Sequence, residues 1–201
     1  MKTVAIITSR WQSERLPGKA LIDICGKPML RWVVDAALGA STVDEVVVAT
    51  TLNSSPIIDY CRDSQIPCYA GSEDDILDRL YQVMRLTGAT KIVRIWGDSP
   101  LIVSPIIEMA VSEATKYEGA YVYTPYYPMG QQVAVFGAGR LHSDWHMATE
   151  GEDRHWYHKY CISTPTAHKV PSMQDLSCLD LSVDTPEDLE RIREIVRKRD
   201  N

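Results

Sequence analysis

Short apolar runs rich in β-branched residues alternate along the chain with segments of helical periodicity. Val4–Ile7, Glu45–Thr50 and Lys91–Trp96 are the clearest of these runs, and such runs are typical of strands buried on both faces of a parallel sheet. Between them, segments such as Leu30–Ala37 repeat apolar residues at helical spacing. The alternation predicts βαβ units, and we expect one three-layer α/β/α domain over residues 1–201, built on a mostly parallel sheet.

The loop after the first predicted strand carries three spaced cations, Arg10, Arg15 and Lys19. Open α/β sheets bind ligands beyond the carboxyl ends of their strands. Forked guanidinium donors and a mobile ammonium group suit a polyphosphate, and Pro17-Gly18 lets the backbone turn tightly beside it. The pattern is not a Walker A loop. It predicts a local anion site, with a solvated basic loop as the alternative.

Two acidic residues follow predicted strands near this edge of the sheet. Asp98 lies in a Gly-Asp-Ser-Pro turn directly after Lys91–Trp96, where it could ligate Mg²⁺, which commonly takes one or two protein carboxylates. A turn hydrogen bond is the alternative. Asp184 follows a predicted last strand, Cys178–Val183, and precedes a capping box at Thr185–Asp188. The capping box explains Thr185–Asp188 but leaves Asp184 without a structural reason.

The charge balance and the cysteines exclude several classes of protein. The net charge is −6 and the pI is near 5.4, so a broad nucleic-acid surface is not expected. Five cysteines without a C-x-x-C pair predict reduced thiols rather than disulfides or a zinc site. No apolar run is long enough to cross a membrane and no signal peptide is evident. We therefore expect a cytoplasmic protein without nucleic-acid or membrane partners. Separately, we expect a homodimer.

Several motifs resemble those of the sugar-acid cytidylyltransferases, the acylneuraminate and deoxy-octulosonate enzymes, with the spore-coat polysaccharide branch nearest. Arg10–Lys19 matches R-x-x-S-x-R-L-P-G-K, Gly26–Met29 matches G-K-P-M, Gly97–Ile102 matches G-D-x-P-L-I, and Val183–Ile192 matches the closing V-D-T-P-E-D-L-E-R-I. The resemblance implies a nucleotide-diphospho-sugar transferase (Rossmann-like) fold. It also implies that the loop holds the triphosphate of CTP and that the two acidic residues hold Mg²⁺.

The resemblance and the residue types together predict a Mg²⁺-dependent cytidylyltransferase that transfers CMP from CTP to a small acidic acceptor and releases pyrophosphate. The acceptor is expected to be a sugar acid or a phosphonate-type acid. The expected catalytic residues are Arg10, Arg15, Lys19, Asp98 and Asp184. The expected nucleotide-binding residues are Thr8, Ser9, Arg10, Ser13, Arg15, Gly18, Lys19, Gly71, Ser72, Asp75, Trp96 and Gly97.

The segment Gly71–Arg79 has two interpretations. It resembles a segment that lies near the nucleotide in the spore-coat branch. A capping box with Ser72 as N-cap and Asp75 three residues later, opening an amphipathic helix, explains the same residues.

The acceptor is expected to bind within residues 121–165, where the resemblance is weak. Tyr127, Gln131 and Gln132 lie between two aromatic-rich runs and either contact the acceptor or cover a sheet edge. Relatives usually have an acidic residue close to Gln132, so the neutral amide argues for a different acceptor here.

Residues 150–160 form the densest polar and aromatic cluster of the chain. Arg154, His155 and Lys159 are expected to contact the anionic acceptor. A metal site at His155 and His158 is the weaker interpretation, because no carboxylate stands at matching helical spacing.

Two other functions remain open from the sequence. One is a nucleotidyltransferase that uses another nucleotide with a sugar or alditol phosphate. The other is a nucleotide-binding regulatory domain without catalysis, against which Lys19, Asp98 and Asp184 argue because a merely binding domain does not need both metal-site carboxylates and the loop lysine.

Overall fold

The computed structural model describes residues 1–149 and 151–199, so Glu150 of the predicted acceptor cluster lies outside the described residues. The strands are β1 (Thr3–Thr8), β2 (Asp23–Ile24), β3 (Lys27–Pro28), β4 (Glu45–Thr51), β5 (Cys68–Gly71), β6 (Lys91–Trp96), β7 (Tyr121–Tyr123), β8 (Ala134–Gly137) and β9 (Ala167–Lys169). The helices are α1 (Met29–Leu38), α2 (Ser55–Asp63), α3 (Ile76–Thr87), α4 (Ser104–Ala114), α5 (Ala138–Met147), α6 (Gly151–His155), α7 (Tyr157–Ile162) and α8 (Pro186–Arg199). A short 3-10 helix covers Lys19–Leu21.

The central sheet has the order β5-β4-β1-β6-β8-β7-β9. The first four strands run parallel, β8 is antiparallel to β6 and to β7, and β9 is parallel to β7. β2 and β3 form a separate antiparallel pair. The prediction of an α/β fold with a mostly parallel sheet is confirmed.

Successive residues of β1 explain why helices cover both faces of the sheet. Ala5 and Ile7 belong to a buried cluster that includes apolar residues of α1, α2 and α4. Val4 and Ile6 belong to another cluster, with residues of α3, α5 and α7. Because side chains alternate along a strand, a continuous apolar run supplies two cores at once.

The last predicted strand, Cys178–Val183, is wrong. Within this segment the structure has only an isolated bridge between Met129 and Asp180. The Asp180 carboxylate accepts hydrogen bonds from the backbone N–H and the hydroxyl of Ser182, at 2.8 and 2.6 Å. This local turn competes with a ladder and directs the chain toward α8.

One helix start differs from its prediction by a small shift, and two others lack a side-chain cap. Pro28 precedes α1 as its N-cap and makes no side-chain cap hydrogen bond. Asp75, not Ser72, caps α3 and accepts from the backbone N–H of Asp78 at 2.7 Å. Ser54 precedes α2 but makes no side-chain cap, because its hydroxyl pairs with Thr51 and accepts from the loop after β1.

The helix that follows Asp184 begins as predicted. The Thr185 hydroxyl accepts from the Asp188 N–H at 3.2 Å, and the Asp188 carboxylate accepts from the Thr185 N–H at 2.9 Å. That reciprocal pair is a capping box. None of the described helices is long and apolar enough to span a membrane.

Candidate active site

A cavity of about 630 Å³ lies where β1 and β6 end, between the loop after β1, α3 and the α6–α7 segment. Most of the predicted site residues line it. From the predicted nucleotide, metal and acceptor sets these are Thr8, Ser9, Arg10, Ser13, Arg15, Lys19, Trp96, Gly97, Asp98, His155, Lys159 and Asp184. The topology therefore brings together residues from both ends of the chain.

Two glycines let the backbone approach closely at this edge of the sheet. Gly18 has φ of +68°, and a Cβ there would lie 2.8 Å from the indole ring of Trp11. Only glycine meets both demands without strain. A Cβ on Gly97 would lie 2.8 Å from the side chain of Ser9, so this glycine lets the ends of β1 and β6 pack together.

The loop after β1 is tied to the neighbouring strand end. The backbone N–H of Trp11 donates to the Ser54 hydroxyl at 2.9 Å, and the Gln12 amide donates to the Asn53 carbonyl at 3.0 Å. These contacts hold the loop that carries Arg10 and Arg15 over the cavity. The backbone that carries these cations is therefore held by contacts within the protein.

Lys19 lies at the centre of the charged end of the cavity. Its Nζ donates to Asp98 Oδ2 at 3.0 Å, to Asp184 Oδ1 at 2.7 Å and to the Val183 carbonyl at 2.9 Å. Arg15 adds an ion pair to Asp184 Oδ1 at 3.0 Å. Two carboxylates predicted to share a site therefore converge on one cation.

Backbone contacts explain why Asp184 reaches this end. The Val183 N–H donates to the Asp98 carbonyl at 3.0 Å and attaches the segment before α8 to the end of β6. The Asp184 N–H donates to the Asp188 carboxylate at 3.1 Å. The capping residue of α8 thus orients the loop that carries Asp184.

The two carboxylates suit a hard divalent cation. Carboxylate oxygens are the ligands Mg²⁺ prefers, and Mg²⁺ commonly keeps water or phosphate oxygens at its other positions. The described residues contain no group of three or more His, Cys, Asp or Glu that could hold a metal alone. A metal bound at Asp98 and Asp184 would therefore take further ligands from water or substrate.

The weaker interpretation, a metal pair at His155 and His158, finds no support in the structure. His155 Nδ1 donates to the Asp74 carbonyl at 3.1 Å, while His158 Nδ1 pairs with the Tyr121 hydroxyl at 2.8 Å. Burial, followed by the charge of Arg94, lowers the pKa of His158 to about 4. His158 is therefore neutral at physiological pH.

Four predicted nucleotide residues do not line the cavity: Gly18, Gly71, Ser72 and Asp75. Gly18 supports the loop from outside. A Cβ on Gly71 would lie 2.9 Å from Cγ of Arg79, so its absence makes room for that arginine. Ser72 accepts from the Asp75 N–H at 3.3 Å, and Asp75 caps α3.

Four predicted acceptor residues also lie outside the cavity, because other groups of the protein satisfy their polar atoms. The Gln131 amide donates to the Leu101 carbonyl at 2.6 Å, the Gln132 amide to the Tyr127 carbonyl at 3.0 Å, and the Tyr127 hydroxyl to Met109 sulfur at 3.2 Å. Arg154 binds Asp75 through Nε at 2.7 Å and donates through Nη1 to the carbonyls of Trp145 and Ala148, both at 3.0 Å. In the structure, Arg154 therefore links α6 to the start of α3.

Sequence reasoning missed two cavity residues of unusual chemistry, Arg79 and Arg94. Their exposed fractions are 3% and 4%, although arginine is seldom fully buried without a partner. Burial, with the nearby charges of Arg94 and Arg10, lowers the pKa of Arg79 to about 10. Arg94 interrupts the apolar run Ile-Val-Arg-Ile-Trp at a core position of β6. A charged residue inside an apolar strand is the sequence signal by which Arg94 could have been identified.

Comparison with known proteins identifies the family to which the chain belongs. A family model described as cytidylyltransferase matches residues 4–200. An uncharacterized Methanocaldococcus jannaschii protein, MJ1063, is 28% identical over 207 residues, covering 100% of this chain and 85% of that one. The 3-deoxy-manno-octulosonate cytidylyltransferase of Geobacter sulfurreducens is 39% identical over 114 residues, covering 56% of this chain and 45% of that enzyme. The match thus spans about half the length of that relative.

Solved structures share the fold. A cytidylyltransferase from Leptospira borgpetersenii has a TM-score of 0.87 at 21% identity, covering 100% of this chain and 95% of that one. CMP:2-keto-3-deoxy-manno-octonic acid synthetase complexed with CTP has a TM-score of 0.76 at 20% identity, covering 99% and 100%. Rv0371C of Mycobacterium tuberculosis complexed with manganese has a TM-score of 0.68 at 17% identity, covering 96% and 99%.

Proposed function

The chain belongs to the cytidylyltransferase family of nucleotidyltransferase enzymes, and on that premise we propose that it transfers CMP from CTP to a small acidic acceptor and releases pyrophosphate. The observation that carries the proposal is that Lys19, Asp98 and Asp184 converge in the cavity that Arg10 and Arg15 also line. Cations and metal-type carboxylates at one point are the parts that nucleotidyl transfer needs.

In the proposed reaction an acceptor oxygen attacks the α-phosphorus of CTP. The new P–O bond forms as the bond between the α-phosphorus and the bridging oxygen breaks, and pyrophosphate leaves with that electron pair. Lys19, Arg10 and Arg15 bind the triphosphate and neutralise charge on the departing pyrophosphate. The work of the protein is to align the two substrates and to stabilise charge, without a covalent intermediate.

The Asp98 and Asp184 carboxylates would hold a divalent metal, proposed as Mg²⁺. When bound, such an ion neutralises phosphate charge and lowers the pKa of a coordinated oxygen. Lys19 contacts both carboxylates, so the ammonium keeps them close while remaining within reach of the phosphates. His155 and Lys159 line the same cavity and are proposed to face the acceptor.

CTP binding and turnover test the proposal separately. With Mg²⁺ present, CTP should raise the melting temperature more than ATP, GTP or UTP at equal concentration, because only a ligand of the native state stabilises it. Equal shifts for all four nucleotides would contradict the choice of cytosine and leave nucleotidyl transfer standing.

The second measurement is pyrophosphate release from CTP with a panel of sugar acids, phosphonates and phosphate esters. Release that depends on both CTP and one acid supports the proposal. Tight CTP binding without release for any acid would favour a non-catalytic nucleotide-binding domain.

A further inference from the structure

Arg79 of α3 and Arg94 of β6 line the active-site cavity while almost wholly buried. Their exposed fractions are 3% and 4%. The Nε atoms of both, and Nη1 of Arg94, are buried without a hydrogen-bond partner. A buried unpaired donor costs free energy, and a buried unpaired charge costs more. Two such side chains facing one cavity indicate that something else completes them.

No carboxylate among the described residues plays that part. Within residues 1–149 and 151–199 neither guanidinium forms an ion pair with an acid. Asp75 and Glu73 are the carboxylates whose charges raise the pKa of Arg79. Asp75 forms an ion pair with Arg154, and Glu73 accepts a hydrogen bond from Asn53 at 3.3 Å. Arg94 stacks on Trp96, its guanidinium carbon 4.7 Å from the ring centre. Stacking orients a guanidinium without neutralising it.

The surroundings are shaped for the pair. Gly71 leaves room for the stem of Arg79, since a Cβ there would lie 2.9 Å from Cγ. His158 beside Arg94 is neutral and adds no repulsion, because burial and Arg94 together lower its pKa to about 4. Arg94 lies two residues before Trp96 on β6, whereas Lys19, Asp98 and Asp184 lie beyond the end of the strand. The two arginines thus line the cavity from α3 and β6, while Arg10 of the loop lies near enough for its charge to act on Arg79.

We propose that Arg79 and Arg94 bind the acidic group of the acceptor, and that this group is a tetrahedral dianion, either a phosphonate or a phosphate monoester. The inference rests on the proposed cytidylyl transfer and narrows its acceptor class. Two guanidinium forks offer donors for several oxygens and a charge of about two, which a dianion matches and a single carboxylate does not. The triphosphate has its own cations in Arg10, Arg15 and Lys19.

Anion binding tests the inference without turnover. Methylphosphonate, inorganic phosphate and acetate are titrated by calorimetry into the wild type, Arg94→Met, Arg79→Met and Arg15→Met, with Arg85→Met as the control on the exposed side of α3. We expect methylphosphonate and phosphate to bind at least about tenfold more tightly than acetate. Loss of Arg94 or Arg79 should weaken them by about tenfold, the scale of one charged hydrogen bond. The Arg85 variant should bind as the wild type does.

Three binding results would overturn the inference. One is equal binding of acetate and methylphosphonate by the wild type. Another is loss of phosphate binding in the Arg15 variant but not in the Arg94 variant, which would place the anion on the loop. Loss of CTP affinity in the Arg94 variant equal to its loss of methylphosphonate affinity would likewise assign the arginines to the triphosphate. A wild type that binds methylphosphonate through Arg94 but fails to bind CTP would contradict the proposed function and leave this site standing.

A thermal readout guards against variants that merely misfold. Because Arg94 is a buried charge that forms no ion pair within residues 1–149 and 151–199, Arg94→Met should melt no lower than the wild type in the absence of anions. Added phosphate should raise the melting temperature of the wild type but not that of the variant. A markedly lower melting temperature for Arg94→Met, with an unchanged response to phosphate, would show a structural role and reject the binding role.

Discussion

The two ends of the active-site cavity treat charge in opposite ways. At the Lys19 end, cations and carboxylates form ion pairs with one another. Lys19 bridges Asp98 and Asp184, and Arg15 pairs with Asp184. At the Arg79 end, neither the Arg79 nor the Arg94 guanidinium forms an ion pair within the described residues, and Nε of each is buried without a hydrogen-bond partner. The balanced end keeps mobile groups in position before substrate arrives. We propose that the unbalanced end gains its counter-charge from a ligand.

This contrast separates two tasks within one pocket. Lys19 and the two carboxylates are partly exposed, so they can exchange partners as phosphate or metal arrives. Arg79 and Arg94 are buried, so an anion there is bound in a low-dielectric setting where charge pairs are stronger. We expect the first end to govern turnover and the second to govern which acceptor is selected.

Removing one carboxylate from the balanced end should have the largest effect. Asp98→Asn or Asp184→Asn keeps the size of the side chain but removes a charge that positions Lys19 and the proposed metal. We expect kcat/KM to fall by about 10²-fold or more, measured by pyrophosphate release over a range of Mg²⁺ concentrations.

Asp35→Asn is the matched control, because this carboxylate also bridges two cations, Lys27 and Arg31, each at 2.6 Å, away from the cavity. It should leave turnover unchanged. Full activity of either active-site variant at limiting Mg²⁺ would exclude that residue as a ligand and break the comparison.

The loop that places the cations at the balanced end depends on Gly18. Gly18→Ala places an alanine in the left-handed region of φ, which strains the backbone, and its Cβ would lie 2.8 Å from the Trp11 ring. We expect the loop to shift and CTP affinity to fall by about tenfold, the scale of losing one charged contact.

Gly88→Ala is the control that separates the effect of backbone strain from the effect of the clash with Trp11. Gly88 has a similar φ of +66° at the end of α3, but no atom lies within 4 Å of its added Cβ. It should lose stability while keeping CTP affinity, as calorimetry would show. If both variants bind CTP alike, the Trp11 contact does not position the loop.

Arg154 is a third kind of cation, buried in part and paired with Asp75, and its loss should act on stability. Arg154→Ala removes the ion pair to Asp75 and two hydrogen bonds to backbone carbonyls. We expect the free energy of unfolding to fall by about 3 kcal/mol, measured in urea. The acceptor KM should change less than about twofold.

Lys159→Ala is the companion variant, since Lys159 is exposed and lines the cavity. It should leave stability unchanged. A tenfold rise in acceptor KM for Arg154→Ala, at normal stability, would restore the acceptor role that the sequence suggested.

His158 probes the unbalanced end through pH, with the smallest expected effect. Its folded pKa is lowered to about 4 from 6.5, so protonation favours the unfolded state. The stability it contributes is complete above about pH 6.5 and is lost as pH falls toward 4. Between pH 7 and pH 5 the loss should be about 2 kcal/mol. Urea unfolding of His158→Asn should show a flatter dependence over this range, and parallel curves would contradict the neutral histidine.

Local pattern accounts for the parts of the site that the sequence predicted well. The apolar runs place β1 and β6 because strand burial depends on residues one and two apart, and the capping box at Thr185–Asp188 is complete within four residues. The predicted strand at Cys178–Val183 failed because Asp180 makes a turn that periodicity does not show. Family motifs supplied Lys19, Asp98 and Asp184 as one set.

Arg154 shows where residue type misled. A cation among aromatic residues suggested an acceptor contact, but Asp75, distant in the chain, lies close enough to pair with it. Its partner could not be found from spacing. Arg94, by contrast, left a visible signal as a charged residue inside an apolar strand.

The sequence by itself determined the class of fold, the cationic loop and the family, because these depend on short-range periodicity and contiguous motifs. Only the tertiary structure decided which charges are neutralised. Lys19 and Asp184 are 165 residues apart in the chain yet share a hydrogen bond, whereas Arg79 and Arg94 line one cavity and form no ion pair within the part of the chain that the structure describes. Charge pairing depends on distance and burial in space, and chain packing sets both.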